Sequence, residues 1–290
     1  MKKLKVGIIG TGNIGCDLLI KVQKSDLLEC SLFMGRNLDS KGIKFASNLN
    51  INVSDMSINA LVESPDLCDI VFDATTASAH FINAPRLKEM GKYTIDLTPS
   101  LIGKMCVPTI NADECLKETN INMITCGGQA TLPIVHKISR EYSNIEYIEI
   151  VASIASKSAG AGTRANIDEF TQTTKMALTE FSCIENSKAI IILNPAEPPI
   201  VMNNTIYFKM KEPDLKNVQL IINKVEKEVQ QYIPGYKIKL APVYQNGYLV
   251  IMLQVEGSGD YLPKYSGNLD VITCAAVKMA ELYAKKRLNL

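Results

Sequence analysis

Histidine is scarce in this 290-residue chain, with only His80 and His136 present. Two imidazoles make a Cys/His zinc cluster hard to assemble, so no metal site is expected. An excess of one charge is also lacking: 31 Lys and Arg stand against 30 Asp and Glu. No like-charge run is long enough to track a phosphate backbone, and nucleic acid is not an expected partner. No stretch approaches the roughly 18 apolar residues of a membrane span. Met1 to Lys5 leads straight into a strand-like run with no apolar signal core, so a cytoplasmic location is expected. The eight cysteines form no CxxC pair, and Cys30, Cys68 and Cys183 sit in apolar stretches. Reduced thiols packed as small core residues are expected rather than disulfides.

What the chain does have is apolar material, 47% of its residues, enough for two modest cores. Up to about residue 126, short apolar runs alternate with mixed, helix-like segments: Val6 to Gly10, Ser31 to Gly35, Asp69 to Ala74, Tyr93 to Leu97 and Asn122 to Thr125. That rhythm predicts a Rossmann-type parallel sheet covered by helices. Longer strand-like runs follow: Ile145 to Ala155, Ala189 to Leu193, Thr205 to Met210, and a hairpin of Lys237 to Tyr244 with Tyr248 to Glu256 around Asn246-Gly247. Asp214 to Ile233 carries Val218, Ile221, Ile222, Val225 and Val229 on one helical stripe. Asn268 to Leu290 has helical spacing and ends in Lys285, Lys286 and Arg287, which suit a helix C-terminus. The expectation is an α/β protein with a dinucleotide-binding domain over residues 1–126. An α/β substrate and dimerisation domain follows over 127–266, and a C-terminal helix over 267–290 returns to the first domain.

Gly10-Thr11-Gly12-Asn13-Ile14-Gly15 joins the strand Lys5 to Ile9 to the helix-like Cys16 to Gln23. In a GxGxxG turn the first glycine permits the bend and the second admits the pyrophosphate. The third lets helix and strand pack closely, and the helix N-terminus presents free N–H groups to the phosphates. The next strand ends at Gly35-Arg36-Asn37 without an acid to hold ribose hydroxyls. Arg36 there suits a 2′-phosphate or stacking on adenine, so NAD is expected and NADP stays open.

Thr125-Cys126-Gly127-Gly128-Gln129-Ala130-Thr131 places a thiol after an apolar run and before a helix-like Leu132 to Glu141. The helix end is expected to lower the thiol pKa. Further Gly-rich stretches run over Ser158-Ala159-Gly160-Ala161-Gly162-Thr163-Arg164-Ala165-Asn166 and Glu256 to Asp270. Such loops commonly mark ligand contacts.

Four ordered motifs, Thr125 to Thr131, Ala161 to Phe170 (AGTRANIDEF), Asn194 to Pro199 (NPAEPP) and Tyr261 to Asp270, carry a resemblance to a known family. Together they resemble the acylating acetaldehyde dehydrogenases that end bacterial meta-cleavage pathways for aromatic compounds, and the match runs from Gly10 through Asn268. The resemblance implies Cys126 as acyl-thioester nucleophile, Thr11 to Ile14 as the cofactor turn, Ser158 to Asn166 as a cofactor-contacting loop and Asn268 near the nicotinamide. It also implies coenzyme A as co-substrate, a homodimer, and a 4-hydroxy-2-oxovalerate aldolase as partner. Backbone N–H groups around Cys126 to Gly128, or the Gln129 amide, are candidate oxyanion donors. The base is open. His136 lies roughly 15 Å beyond Cys126 along a continuous helix, and His80 follows the fourth strand. Where the family carries an acid within an Arg-Asp-Thr run, this chain has Met202-Asn203-Asn204-Thr205. Glu197 and Asp260 are the nearby acids. Two other readings stand: an NAD(P) oxidoreductase of the same layout without a covalent intermediate, and a non-catalytic NAD(H) sensor.

Overall fold

In the computed structural model of the chain, residues 2–160, 164 and 167–290 are described. The chain divides into two compact units, Met1–Met123 with Ile272–Leu290, and Ile124–Val271.

Among the described residues of the first unit, seven strands form one parallel sheet: β1 Leu4–Ile9, β2 Leu28–Met34, β3 Val53–Ser54, β4 Ile70–Asp73, β5 Tyr93–Asp96, β6 Lys104–Met105 and β7 Asn120–Asn122. Their spatial order is β3-β2-β1-β4-β5-β7-β6. The winding reverses between β1 and β4, and it is outside the carboxyl ends of strands at such a switch point that ligands bind in open α/β sheets. The strands β1, β4 and β5 read as almost unbroken buried runs, as expected where helices cover both faces of a parallel sheet. The final helix, Gly267–Leu288, supplies this unit from Ile272 onward. Its Thr273 hydroxyl donates to Asp17 Oδ2 at 2.5 Å, and the same carboxylate receives the Lys21 ammonium at 2.6 Å, both within the core. Tyr283 stacks on Tyr93 at 4.0 Å.

Among its described residues the second unit holds six strands: β8 Ile145–Ala155, β9 Ser187–Asn194, β10 Met202–Met210, β11 Tyr236–Ile238, β12 Val243–Gln245 and β13 Tyr248–Val255. The order is β11-β13-β10-β8-β9, with β12 paired to β13. Only β8 and β9 run parallel. Alternation decides its two faces. Ile148, Ile150, Ala152 and Ile154 of β8 are buried with Met202, Asn204, Ile206 and Phe208 of β10. Against that unit's strands and one another pack the helices Cys126–Glu141, Ile167–Ser182 and Leu215–Gln230.

Several expectations shift. The strand predicted over Asn122 to Thr125 stops at Asn122, and the helix expected from Leu132 already begins at Cys126, despite two glycines and an internal Pro133. Thr125 starts it: its hydroxyl accepts the Gly128 N–H at 3.0 Å, satisfying an otherwise orphaned helix-end donor. The first arm of the predicted hairpin splits into β11 and β12, while Asn246 and Gly247 take φ of 52° and 81°, the left-handed pair that a tight two-residue turn requires. The helix Ile167–Ser182 carries no earlier assignment; its polar threonines mask the apolar stripe of Phe170, Ala177, Leu178 and Phe181.

Candidate active site

In the first unit, the glycine turn sits at the carboxyl end of β1. Gly10 has φ +113°, and a Cβ on it would stand 2.4 Å from the Ala74 carbonyl oxygen. A Cβ on Gly15 would meet the Gly10 carbonyl at 1.9 Å. Gly12 differs: a Cβ there meets nothing within 4 Å. It forms the N-cap of helix Asn13–Lys24 with no side-chain cap and no acid in the first turn. Two glycines close in by packing, and one faces open space beside uncapped N–H groups, which is the arrangement a dinucleotide pyrophosphate fits. The turn is held from behind by Gly35 and Gly42, on which a Cβ would stand 2.5 Å from the Thr11 methyl and 2.0 Å from the Thr11 carbonyl oxygen. Neither emerges from the motif alone, although both follow it at the next strand end and helix start. Arg36 is exposed just past β2.

The contrast between glycines gives a direct expectation. Gly15→Val drives a side chain into backbone and prevents the first unit from folding. Gly12→Val keeps the fold, since its φ of −80° and ψ of −170° suit any residue, but weakens NADH binding by roughly tenfold or more, about 1.4 kcal/mol. Fluorescence titration of NADH alongside circular dichroism separates the two.

Beside this turn lies a buried polar cluster that sequence reasoning misses. Asp73 and Asp96 end β4 and β5, and both are fully buried, as is His80. His80 Nδ1 is 2.9 Å from Asp73 Oδ2, and Nε2 is 3.5 Å from Asp96 Oδ2. Asn83 Nδ2 donates to Asp73 at 2.9 Å. Asp96 accepts from the Thr98 N–H at 2.7 Å, the Ser100 hydroxyl at 2.5 Å and Asn122 Nδ2 at 2.7 Å. Burial works to lower the His80 pKa, but the Asp73 hydrogen bond and the Asp96 and Asp73 charges outweigh it and hold the ring above the ordinary imidazole range. Asn120 Nδ2 faces Nε2 at 3.1 Å, while its own Oδ1 has no partner among the described residues. Turning that amide lets Oδ1 accept from a protonated ring. A signal existed in the two strands Ile70–Asp73 (IVFD) and Tyr93–Asp96 (YTID), which both end apolar runs on aspartate.

In the second unit, Cys126 is half-buried as the first residue of its helix. Its N-cap is fixed by a relay in which Thr125 Oγ1 lies 2.8 Å from Thr174 Oγ1, which donates to the Phe170 carbonyl at 2.7 Å. Ile124, just before, is held at φ 64°, a left-handed conformation a β-branched residue rarely takes. Such local strain is a common companion of functional sites. The expected low thiol pKa is corrected: burial pushes the Cys126 thiol up to about 12, against hydrogen bonds from the Gly127 and Cys126 N–H groups. The helix end alone does not produce a thiolate.

Of the other candidates, His136 Nδ1 is 2.9 Å from the Phe181 carbonyl oxygen, a structural contact. Glu197 pairs with Lys157 at 2.5 Å. Gln129 is fully buried in its helix. Ser158 donates to Ala155 O at 2.8 Å. The Arg164 guanidinium is taken up by its own loop, donating to Ser156 O at 2.7 Å and Ala159 O at 3.2 Å. Ala161, Gly162, Thr163, Ala165 and Asn166 lie outside the described residues. Asn268 and Asn204 are buried, and among the described residues Asn268 Oδ1 and both side-chain atoms of Asn204 find no hydrogen-bond partner. Among the described residues no group of three His, Cys, Asp or Glu could hold a metal, and no helix is long and apolar enough to cross a membrane.

Two family models match: the NAD-binding domain of semialdehyde dehydrogenase over residues 5–118, and the dimerisation domain of prokaryotic acetaldehyde dehydrogenase over residues 126–263. In structure the chain is similar to aspartate semialdehyde dehydrogenase II of Vibrio cholerae (TM-score 0.68, 12% identity, 99% of each chain covered). It is equally similar to the Candida albicans aspartate semialdehyde dehydrogenase solved with NADP (TM-score 0.69, 12% identity, 99% of each chain). These likenesses concern the fold. In sequence it is 50% identical to an acetaldehyde dehydrogenase of Spirochaeta aurantia, over 98% of this chain and 96% of that protein. It is 51% identical to one of Geobacillus stearothermophilus, over 99% and 98%. With an NAD(P)-binding dehydrogenase domain, a dimerisation domain and full-length relatives at this identity, the chain belongs to the acetaldehyde dehydrogenase family.

Proposed function

We propose that this protein is an acylating dehydrogenase that converts acetaldehyde, coenzyme A and NAD to acetyl-CoA and NADH through a thioester on Cys126. The observation that carries the reading is the placement of that thiol. It sits on the first turn of a capped helix, next to Gly127 and Gly128, which add no side chain beside it. Cys126 sulfur adds to the aldehyde carbon, its proton leaves to solvent, and the carbonyl electron pair moves to oxygen. The Cys126 and Gly127 N–H groups, which face the sulfur, are the donors nearest that oxygen. When bound, the oxidised nicotinamide supplies the hydride acceptor that turns the thiohemiacetal into a thioester. Coenzyme A sulfur then attacks the acyl carbon, the Cys126–carbon bond breaks, and the coenzyme A thiol proton passes to the departing Cys126 sulfur, which restores its thiol.

Gly10, Thr11, Gly12, Asn13, Ile14 and Gly15 would hold the pyrophosphate, with Arg36 at the adenosine end admitting NADP. The family resemblance assigns Ser158 to Asn166 to cofactor contact and Asn268 to the nicotinamide. The homodimer is supported by the open face of the second sheet, where Val151, Tyr207, Val250 and Met252 are only partly covered and Ile192 is 44% exposed. A cytoplasmic enzyme of aromatic catabolism fits this assignment. The test is mass spectrometry of Cys126 after acetaldehyde and NAD are supplied without coenzyme A. An acetyl adduct that coenzyme A discharges is expected, and its absence overturns the reading in favour of direct hydride transfer.

The family resemblance also suggests a 4-hydroxy-2-oxovalerate aldolase partner, since a reactive aldehyde passed within a complex escapes dilution. Aldolase-generated aldehyde should then reach Cys126 despite an added aldehyde trap. Complete interception by the trap removes the partner.

A further inference from the structure

Asn204 breaks an otherwise apolar row. On β10 the buried residues are Met202, Asn204, Ile206, Phe208 and Met210, so one amide stands among hydrocarbon side chains. It is 1% exposed, and among the described residues neither Oδ1 nor Nδ2 has a hydrogen-bond partner. A buried amide left unpaired costs about 1–3 kcal/mol, and few positions in a native chain tolerate that.

Its surroundings show where the amide is directed. Asn204 is the register partner of Ala152 on β8 and of Leu253 on β13. Directly opposed residues project to the same face, with Cβ atoms about 5 Å apart. Ala152 Cβ is 3.5 Å from where a Cβ on Gly127 would stand. Asn204 therefore lies under the first turn of the Cys126 helix, one cross-strand neighbour from the residue after the thiol. The Phe170 ring packs against the same spot, its Cζ 3.1 Å from that Cβ position. A second orphan sits at the same end of the sheet. A Cβ on Gly267 would stand 2.0 Å from the Val255 carbonyl oxygen, Val255 pairs with Met202, and the following residue is Asn268, whose Oδ1 is also unpartnered.

We propose that Asn204 is a catalytic residue of the acylation step, its Nδ2 donating a hydrogen bond to the aldehyde-derived oxygen while that oxygen is bonded to the carbon on Cys126. The proposal rests on the reading of Cys126 as nucleophile. No proton changes hands at Asn204: the carbonyl electron pair moves to oxygen as the sulfur–carbon bond forms, and returns as the thioester forms. The amide's partner is then the reacting oxygen, which explains why the described residues offer none.

The experiment compares Asn204→Leu, Asn204→Ala and Asn204→Asp with the wild type, using acetaldehyde and NAD and following the first turnover of NADH, the Cys126 acetyl adduct, and Tm. Loss of one such donor slows acylation by roughly 10²–10³-fold. Asn204→Leu is expected to show that loss with an unchanged NADH dissociation constant and a Tm at or above wild type. A merely structural asparagine would give a lower Tm instead. Asn204→Asp is expected to fall further behind the wild type as pH rises, because its carboxyl donates only while protonated; a ratio to wild type that stays constant across pH counts against the proposal. Should the leucine not fit, the alanine variant carries the same rate expectation. Wild-type acylation rates in Leu and Ala overturn the assignment of Asn204 alone. A wild-type enzyme that forms no Cys126 adduct overturns the nucleophile reading first.

Discussion

Cys126→Ser is expected to reduce aldehyde- and coenzyme A-dependent NADH formation by at least roughly 10⁴-fold, about 5 kcal/mol of transition-state stabilisation, while NADH binding is retained. Serine preserves the helix start, because the cap belongs to Thr125 and the first-turn N–H groups are backbone. What it removes is a polarisable sulfur that attacks well and leaves well; an oxygen ester at this position would strand the acyl group. Steady-state assay with NADH titration on the same preparation checks this. Turnover within tenfold of wild type would eliminate the covalent route. The raised thiol adds a pH statement. With the Cys126 thiol pushed up to about 12 in the free chain, alkylation by iodoacetamide should be slow at neutral pH and accelerate steadily into the alkaline range. A plateau below pH 8 would show that the thiolate forms without added ligand.

His80→Leu is expected to destabilise the first unit by about 3–5 kcal/mol, as when one partner of a buried ion pair is removed. Asp73 and Asp96 would be left fully buried without the cation between them. At roughly 2–4 °C per kcal/mol for a chain of this size, Tm falls by roughly 10 °C. The sign with pH follows from the direction of the shift. The folded-state pKa of His80 is raised, so its stabilisation is complete below the unfolded value and is lost as pH rises through the folded one. The difference in Tm between wild type and His80→Leu should therefore shrink toward alkaline pH. A difference that widens there would mean that the ring is neutral and the pairing misassigned.

The parallel sheet was legible because β1, β4 and β5 are almost unbroken buried runs, and the glycine turn because it follows the first of them directly. The two-residue strands Val53–Ser54 and Lys104–Met105 carry no periodicity to read and exist only as edges of an established sheet. Cys126 was legible as a position, through its motif, but its electrostatics were not. Helix-end charge can be inferred from sequence, whereas the desolvation that outweighs it depends on what the fold packs against the sulfur. The His80 cluster was opaque for a related reason: a lone histidine after a strand says nothing until two strand-end aspartates, far apart in sequence, become neighbours. Asn204 stood out in sequence as a departure from the family's acid, and only the sheet register shows that it is buried unpaired.

The first unit is interrupted in sequence, since Met1–Met123 is completed by Ile272–Leu290 while Ile124–Val271 is continuous. During synthesis the order of completion is therefore inverted relative to the order of translation. The second unit has its full set of strands and helices before the helix bearing Thr273 and Tyr283 has been made. Until then Asp17 lacks one hydrogen-bond donor and Tyr93 its stacking partner. Nascent chains stalled short of residue 272 should present a protease-resistant second unit and a cleavable first one. The nucleotide site would then be the last part of the molecule to become competent, so that cofactor capture reports completion of the whole chain.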